Sequence, residues 1–239
     1  MAGGEPELAE LLELFPRGFE EVDGGFAVYT DAAGEGALRE RFEVTSRDVA
    51  GGWEDGWREF HRGVVVGRFW VGPPWEEPPA GVEAIVIDPG RAFGTGAHAT
   101  TRLTLELLQE LRPASVLDVG CGSGVLSIAA AKLGFAPVVA LDVDETAVEV
   151  TLANAGVNGV EIVARHADAL VDELPNTEIA VANVALDVVE QLLPRLRAAR
   201  LVASGYLERD EPRLQGWRRL DRRVADGWAA DLLARGPDG

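Results

Sequence analysis

Lysine is almost missing from this 239-residue chain. Lys132 is the only one, so arginine supplies nearly all of the 22 basic side chains set against 40 acidic ones. The resulting charge of −18 repels nucleic acid and anionic lipid and attracts basic partners, which makes free RNA or DNA a poor substrate. Solubility is the plain alternative use of that charge. The bias toward arginine is attributed to genome composition. Cysteine is equally scarce: Cys121 stands alone and forms no internal disulfide, as suits a reducing compartment. No run of eighteen apolar residues occurs, and the first residues, MAGGEPELAELLELF, are acidic and lack the basic start and cleavage site of a signal peptide. A cytoplasmic monomer without membrane contact is expected.

Against these absences stands an apolar content of 47%, enough for a real core in one domain of ordinary size with a small companion. Residues 5–14 show helical periodicity, GFEEVDGGFAVYT reads as two short strands around Asp23-Gly24-Gly25, GEGALRERF as a short helix and EVTSRDV as a further strand. These predict a small α+β domain over 1–48. A Trp/Pro/Gly-rich stretch, 49–81, reads as a linker carrying a little structure of its own; its Trp53, Trp57, Trp70 and Trp75 either pack the junction or face a partner.

Over 82–239 the pattern is regular. Strands EAIVID, SVLDV, PVVALDV, VEIVAR, TEIAVANV and RLVASG alternate with helices TTRLTLELLQEL, GVLSIAAAKLG, ETAVEVTLANAG and LDVVEQLLPRLRA. Such alternation, with β-branched strands that look buried on both faces, predicts an α/β fold with a mostly parallel, Rossmann-like sheet. WRRLDRRVADG and WAADLLAR read as a closing antiparallel hairpin.

In VLDVGCGSGVL a strand ending at Asp118 and Val119 runs through Gly120, Gly122 and Gly124 into a helix, which lets backbone approach a ligand at the carboxyl end of the sheet. A dinucleotide fingerprint would require glycine at 125, where the chain has Val125, and a phosphate loop would require a lysine that is not there. An acid at the strand end, alternating glycines and a second acid, Asp142, ending the next strand are similar to S-adenosylmethionine-dependent methyltransferases of the Rossmann-like class. The resemblance implies S-adenosyl-L-methionine as cofactor, with Asp118, Gly120 and Gly122 toward its methionyl end and Asp142 on its ribose. It also implies Asp168 at the adenine amino group, although a short polar turn accounts for an aspartate there equally simply. Asn183, in VANVAL, matches the position beside the transferred methyl; capping the helix that starts near Leu186 is the alternative.

The segment DPGRAFGTGAHATT, 88–101, has no paired carboxylates and no metal-ligand spacing. Three glycines and three threonines make it a wrapper rather than a reagent, and no metal site is expected. PGRAFGTGAHATTRL, followed by VLDVGCGSGVLSIAA and VANVAL, resembles the ribosomal protein L11 methyltransferase family from roughly Trp53 to Leu233. The resemblance implies that Phe93, Gly94 and Thr101 join Gly120, Asp142 and Asn183 in holding the cofactor. His98 is either a base or, more simply, a turn-stabilising imidazole. Cys121 reads as a small loop residue, not a nucleophile.

The family's acceptors are protein amines, so the implied reaction is methylation of lysine side chains or the N-terminal α-amine of ribosomal protein L11, with Asn183 as the catalytic residue. Enzymes that methylate planar amides carry Asn-Pro-Pro-aromatic where this chain has Asn183-Val184-Ala185-Leu186. The family's N-terminal domain opens on a strand that is not found before EPELAELLEL, which keeps two alternatives in view: another protein or small amine as acceptor, and a catalytically degenerate binding module.

Overall fold

The computed structural model describes residues 20–22, 25–28, 32–39, 41–46, 62–88 and 96–236. Two compact units divide the chain, Met1–Phe60 and His61–Gly239. In the first, strands β1 (Glu20–Val22) and β2 (Gly25–Ala27) pair antiparallel, and helix α1 spans Ala32–Arg39. The helix expected over 5–14 lies outside the described residues. The strand expected at EVTSRDV is corrected for 43–46, which take no regular structure. There Ser46 Oγ accepts a hydrogen bond from Arg39, whose guanidinium also pairs with Glu35 one turn back. A side chain has taken up the polar segment in place of a strand partner.

The second unit holds two sheets. The smaller runs β3 (Val64–Val66), β4 (Phe69–Gly72), β5 (Glu83–Val86), with β3 and β4 antiparallel and β4 and β5 parallel. Two of its strands come from the stretch read as a linker, where Phe69, Trp70 and Val71 are buried. EAIVID is therefore a strand, but of this small sheet and not of the main one.

The main sheet has seven strands: β6 (Val116–Val119), β7 (Val138–Asp142), β8 (Val163–His166), β9 (Ile179–Asn183), β10 (Arg200–Leu207), β11 (Trp217–Ala225) and β12 (Trp228–Arg235). Their order is β11-β12-β10-β9-β6-β7-β8. Strands β6 to β10 are parallel, and β12 runs antiparallel to both β10 and β11. The alternation of elements predicted this Rossmann-like arrangement and its closing hairpin. Helix α2 (Ala99–Gln109) precedes β6, and α3 (Val125–Lys132), α4 (Glu145–Val157) and α5 (Leu186–Leu192) run between the strands.

Alternate strand residues feed two apolar layers, as the period-2 geometry of a strand requires. Val116, Val138, Ile179, Val181 and Val202 face α2 and α3; Leu117, Leu141, Ala180, Ala182 and Leu201 face Val189 and Leu192 of α5 and Leu193 at its C-cap. Strand β8 departs from the expected two-sided burial. It is an edge strand, and Val163 is exposed because no strand pairs beyond it among the described residues.

Candidate functional site

The chain moves outward from β6 to β7 and β8 on one side and from β9 to β10 on the other, so the order reverses between β6 and β9. Ligands settle at the carboxyl ends of strands at such a point. Val119 of β6 lies across from Ala182 of β9, which brings the loop after β6 beside Asn183.

That loop is shaped by three glycines with positive φ: Gly120 at 73°, Gly122 at 54° and Gly124 at 82°. A side chain at Gly120 would come within 2.6 Å of Val184 Cγ1, and one at Gly124 within about 3 Å of Thr151. The loop thus presents backbone and no side-chain bulk at the start of α3, where N–H groups lack helical partners.

Asp118 sits beneath the loop at 1% exposure. The Ser127 hydroxyl donates to Oδ2 at 2.6 Å, while Oδ1 is buried without a hydrogen-bond partner. Burial pushes this carboxyl up to about 6; the Ser127 bond opposes the rise, and the neighbouring Asp142 carboxylate adds to it. Asp142, ending β7, accepts the Gly122 N–H at 2.9 Å and the Asp144 N–H at 3.0 Å. It therefore pins the glycine loop, and a carboxylate has lone pairs for further donors.

Asp168, after β8, turns its carboxylate back onto Leu170 N–H at 2.8 Å. Arg195 spans the same turn, donating to the carbonyls of Ala169 and Asp172. Asn183 does not cap α5: the N-cap position is Ala185, without a side-chain bond. Instead Asn183 Nδ2 donates to Thr101 Oγ1 at 3.4 Å, joining the end of β9 to the first turn of α2. The Val184 N–H binds the Ser204 carbonyl, and a bulge in β10 at Gly205 packs on the Val184 backbone so closely that only glycine fits.

His98 is the N-cap of α2: its Nδ1 accepts from Thr100 N–H and lies 2.8 Å from Thr100 Oγ1. Burial lowers its basicity, Arg102 lowers it further, and Asp226 opposes them. The ring stands edge-on to Trp228, at 4.9 Å between centroids. Capping is thus a role the imidazole has in this structure. Cys121 is buried, with its thiol pushed up to about 12 by burial first and by Asp118 next, which removes it as a nucleophile at neutral pH. Phe93 and Gly94 lie outside the described residues.

Asp118, Gly120, Gly122, Asp142, Asn183 and Thr101 therefore gather at one switch point, with Asp168 one strand further out. Ser127, Thr151 and Asn154 escaped the sequence reading, although polar residues in otherwise apolar helices were the signal. Val143, next to Asp142, is 65% exposed and offers an apolar surface at the same end of the sheet. No group of three or more metal-ligating side chains is found among the described residues, and none of the described helices is long and apolar enough to cross a membrane.

The family model described as Ribosomal protein L11 methyltransferase (PrmA) matches residues 27–215. The chain is 42% identical over 199 residues to a ribosomal protein L11 methyltransferase of Symbiobacterium thermophilum, covering 78% of this chain and 63% of that one. With the enzyme of that name from Geobacter sulfurreducens it shares 39% over 222 residues, 80% of this chain and 71% of the relative. Of the first relatives' lengths it spans 63%, 48% and 55%. Among solved structures, a ribosomal protein L11 methylase from Lactobacillus delbrueckii subsp. bulgaricus aligns with a TM-score of 0.67 at 27% identity, over 74% of this chain and 100% of that one. With a family match running through most of the sequence and relatives near 40% identity, the chain belongs to the ribosomal protein L11 methyltransferase family.

Proposed function

We propose that the chain is an S-adenosylmethionine-dependent protein N-methyltransferase that modifies lysine side chains, the N-terminal α-amine, or both, of ribosomal protein L11. The observation that carries this reading is the meeting of Asn183 and Thr101 beside the glycine loop, in a chain whose family match runs over 27–215.

The residues fit the cofactor. The loop offers backbone where a side chain would obstruct, and the unpartnered Asp118 Oδ1 faces a need for a donor. Asp118, Gly120 and Gly122 would lie toward the methionyl end and Asp142 on the ribose hydroxyls. Asp168 and Val143 would meet the adenine, and Phe93, Gly94 and Thr101 would complete the contacts.

When bound, the cofactor supplies a methyl group already activated by its sulfonium, so the protein has no strong acid or base to provide. Its work is to exclude water, align the amine and keep that amine neutral. A free lysine amine has a pKa of about 10.4, and a desolvated approach favours the neutral form. With Nδ2 given to Thr101, Asn183 Oδ1 is the atom that accepts an N–H of the incoming amine and orients its lone pair.

A charge of −18 suits a basic ribosomal protein as partner, with no direct contact to nucleic acid or membrane. On this reading the domain expected over 1–48 recognises the substrate, the stretch before His61 links it to the catalytic unit, whose small sheet takes in Val64–Gly72, and the enzyme works as a cytoplasmic monomer.

Purified protein with labelled cofactor is expected to transfer label to ribosomal protein L11. Asn183→Ala should lower kcat about 10- to 100-fold, the worth of one hydrogen bond to a charge-developing group, with cofactor affinity little changed. Cofactor binding without transfer to that protein would move the acceptor to another protein or a small amine. Failure to bind cofactor would leave a degenerate binding module.

A further inference from the structure

Helix α4 carries a polar seam where its packing position calls for apolar residues. Thr151, Asn154 and Asn158 are spaced three and four apart and so share one face. Thr151 is fully buried and Asn154 is 4% exposed. Burying such groups is costly unless each is bonded, and here each bonds backbone outside the helix, Asn158 at the C-cap also donating to the Asn154 carbonyl at 2.8 Å.

The Thr151 hydroxyl lies 3.1 Å from the Gly122 carbonyl and 3.2 Å from Cys121 Sγ. Asn154 Nδ2 donates to the Ser123 carbonyl at 2.9 Å, and its Oδ1 accepts from Asp88 N–H at 3.4 Å. Asn158 acts as a stand-in for a neighbouring strand: Oδ1 accepts the Val86 N–H at 2.9 Å, and Nδ2 donates to the Val86 carbonyl at 2.7 Å. Among the described residues β5 pairs only with β4, and this carboxamide bonds the backbone along its other edge.

The three side chains differ in what they hold. Asn158 bonds Val86 of β5 and the Asn154 carbonyl, Thr151 touches the glycine loop alone, and Asn154 joins the loop to the chain just after β5 with a single carboxamide. We propose that Asn154, assisted by Thr151, is a positioning residue for cofactor binding that fixes the glycine loop against the end of β5. The proposal rests on the glycine loop being the S-adenosylmethionine site. A loop of three positive-φ glycines has little stiffness of its own. Its carbonyls at 122 and 123 are held from α4, and its N–H at 122 is held by Asp142, so both sides of the peptide chain are tethered. A ligand then meets an ordered loop and does not bear the entropy of ordering it.

The test compares Asn154→Leu and Asn158→Leu, near-isosteric changes on the same helix face, for binding of S-adenosylhomocysteine, thermal melting, and steady-state methylation of ribosomal protein L11. Asn154→Leu is expected to weaken binding about 10- to 50-fold and raise the cofactor KM by the same factor, with kcat at saturating cofactor within about twofold. Asn158→Leu is expected to lower the melting temperature as much, yet change binding less than about threefold. Binding by Asn154→Leu within threefold of wild type, or an equal loss in both variants, would overturn the proposal in favour of a purely structural seam. Should Asn154→Leu fail to fold, isosteric Thr151→Val decides: weaker binding with a normal melting temperature supports the proposal, and unchanged binding overturns it. If wild type itself binds no S-adenosylhomocysteine, the reading of the site fails first and the proposal with it, a result distinct from a defect confined to the variants.

Discussion

The glycine loop at 120–124 and the hairpin of β11 and β12 reach the same end of the sheet by opposite means. The loop has no side chains at three of its five positions and is held by hydrogen bonds to its backbone from Asp142, Thr151 and Asn154. The hairpin is dense in charge. Arg219 and Arg222 both converge on Asp231, which is fully buried and also accepts from the Tyr206 hydroxyl at 2.9 Å. Arg219 Nε lies 2.8 Å from Asp231 Oδ1 but is not aligned on it, so that contact is an ion pair rather than a directed hydrogen bond. Arg223 reaches Glu106 of α2 and Glu110 at its C-cap, and Arg102 of α2 pairs with Asp226 in the hairpin turn. In the loop, bulk is withheld and the backbone is steadied from behind. In the hairpin, side chains crowd in.

The largest effect on that contrast is expected from Asp231→Ala, which leaves two guanidinium groups facing a buried vacancy. A loss of about 3–5 kcal/mol in urea unfolding is expected, with S-adenosylhomocysteine affinity of the remaining folded protein unchanged. A loss below about 1 kcal/mol would make the hairpin's charges incidental.

Asp118→Asn should act in the other direction. Because the folded carboxyl titrates near 6 and not near 3.8, the folded state holds a proton that the unfolded chain releases between those values. Stability therefore falls as pH rises through that window, and at pH 7 the whole cost is present, about 2–3 kcal/mol. The asparagine variant should melt higher than wild type at pH 7 and equal to it below pH 4, by calorimetry at both values. A gap independent of pH would show that the carboxylate is stabilised by something other than Ser127.

A smaller change is expected from Gly124→Ala, at φ 82° and with Thr151 about 3 Å from the added carbon. About 1–2 kcal/mol of stability should be lost, with a proportionally larger loss of cofactor affinity, since strain falls on the loop and not on the core. Equal losses would erase the distinction between loop and scaffold.

Much of the scaffold could be read in advance because its signals are local. Alternating VLDV, VVALD and IAVAN segments with helical spacers announce a parallel sheet, and Asp118, Asp142 and Asn183 fall at strand ends by counting alone. The membership of β5 in a separate small sheet was not legible, because EAIV has the same apolar pattern whichever sheet receives it. Its partner β4 is contributed by FWVG, inside a stretch whose glycines, prolines and tryptophans masked the strands. The seam of α4 was also passed over, since Thr151, Asn154 and Asn158 have meaning only through distant backbone at 86, 88, 122 and 123.

By itself the sequence determined the order and type of the elements from β5 onward, the acidic balance and the identity of the residues at each strand end, because periodicity, turn chemistry and charge are properties of neighbours along the chain. Tertiary structure alone decided that Asn183 meets Thr101, that Asp118 is buried with one oxygen unpartnered, and that one helix tethers both the glycine loop and β5. Those facts depend on which burial and hydrogen bonds remain once strands have chosen partners, and that choice is made between segments far apart in sequence.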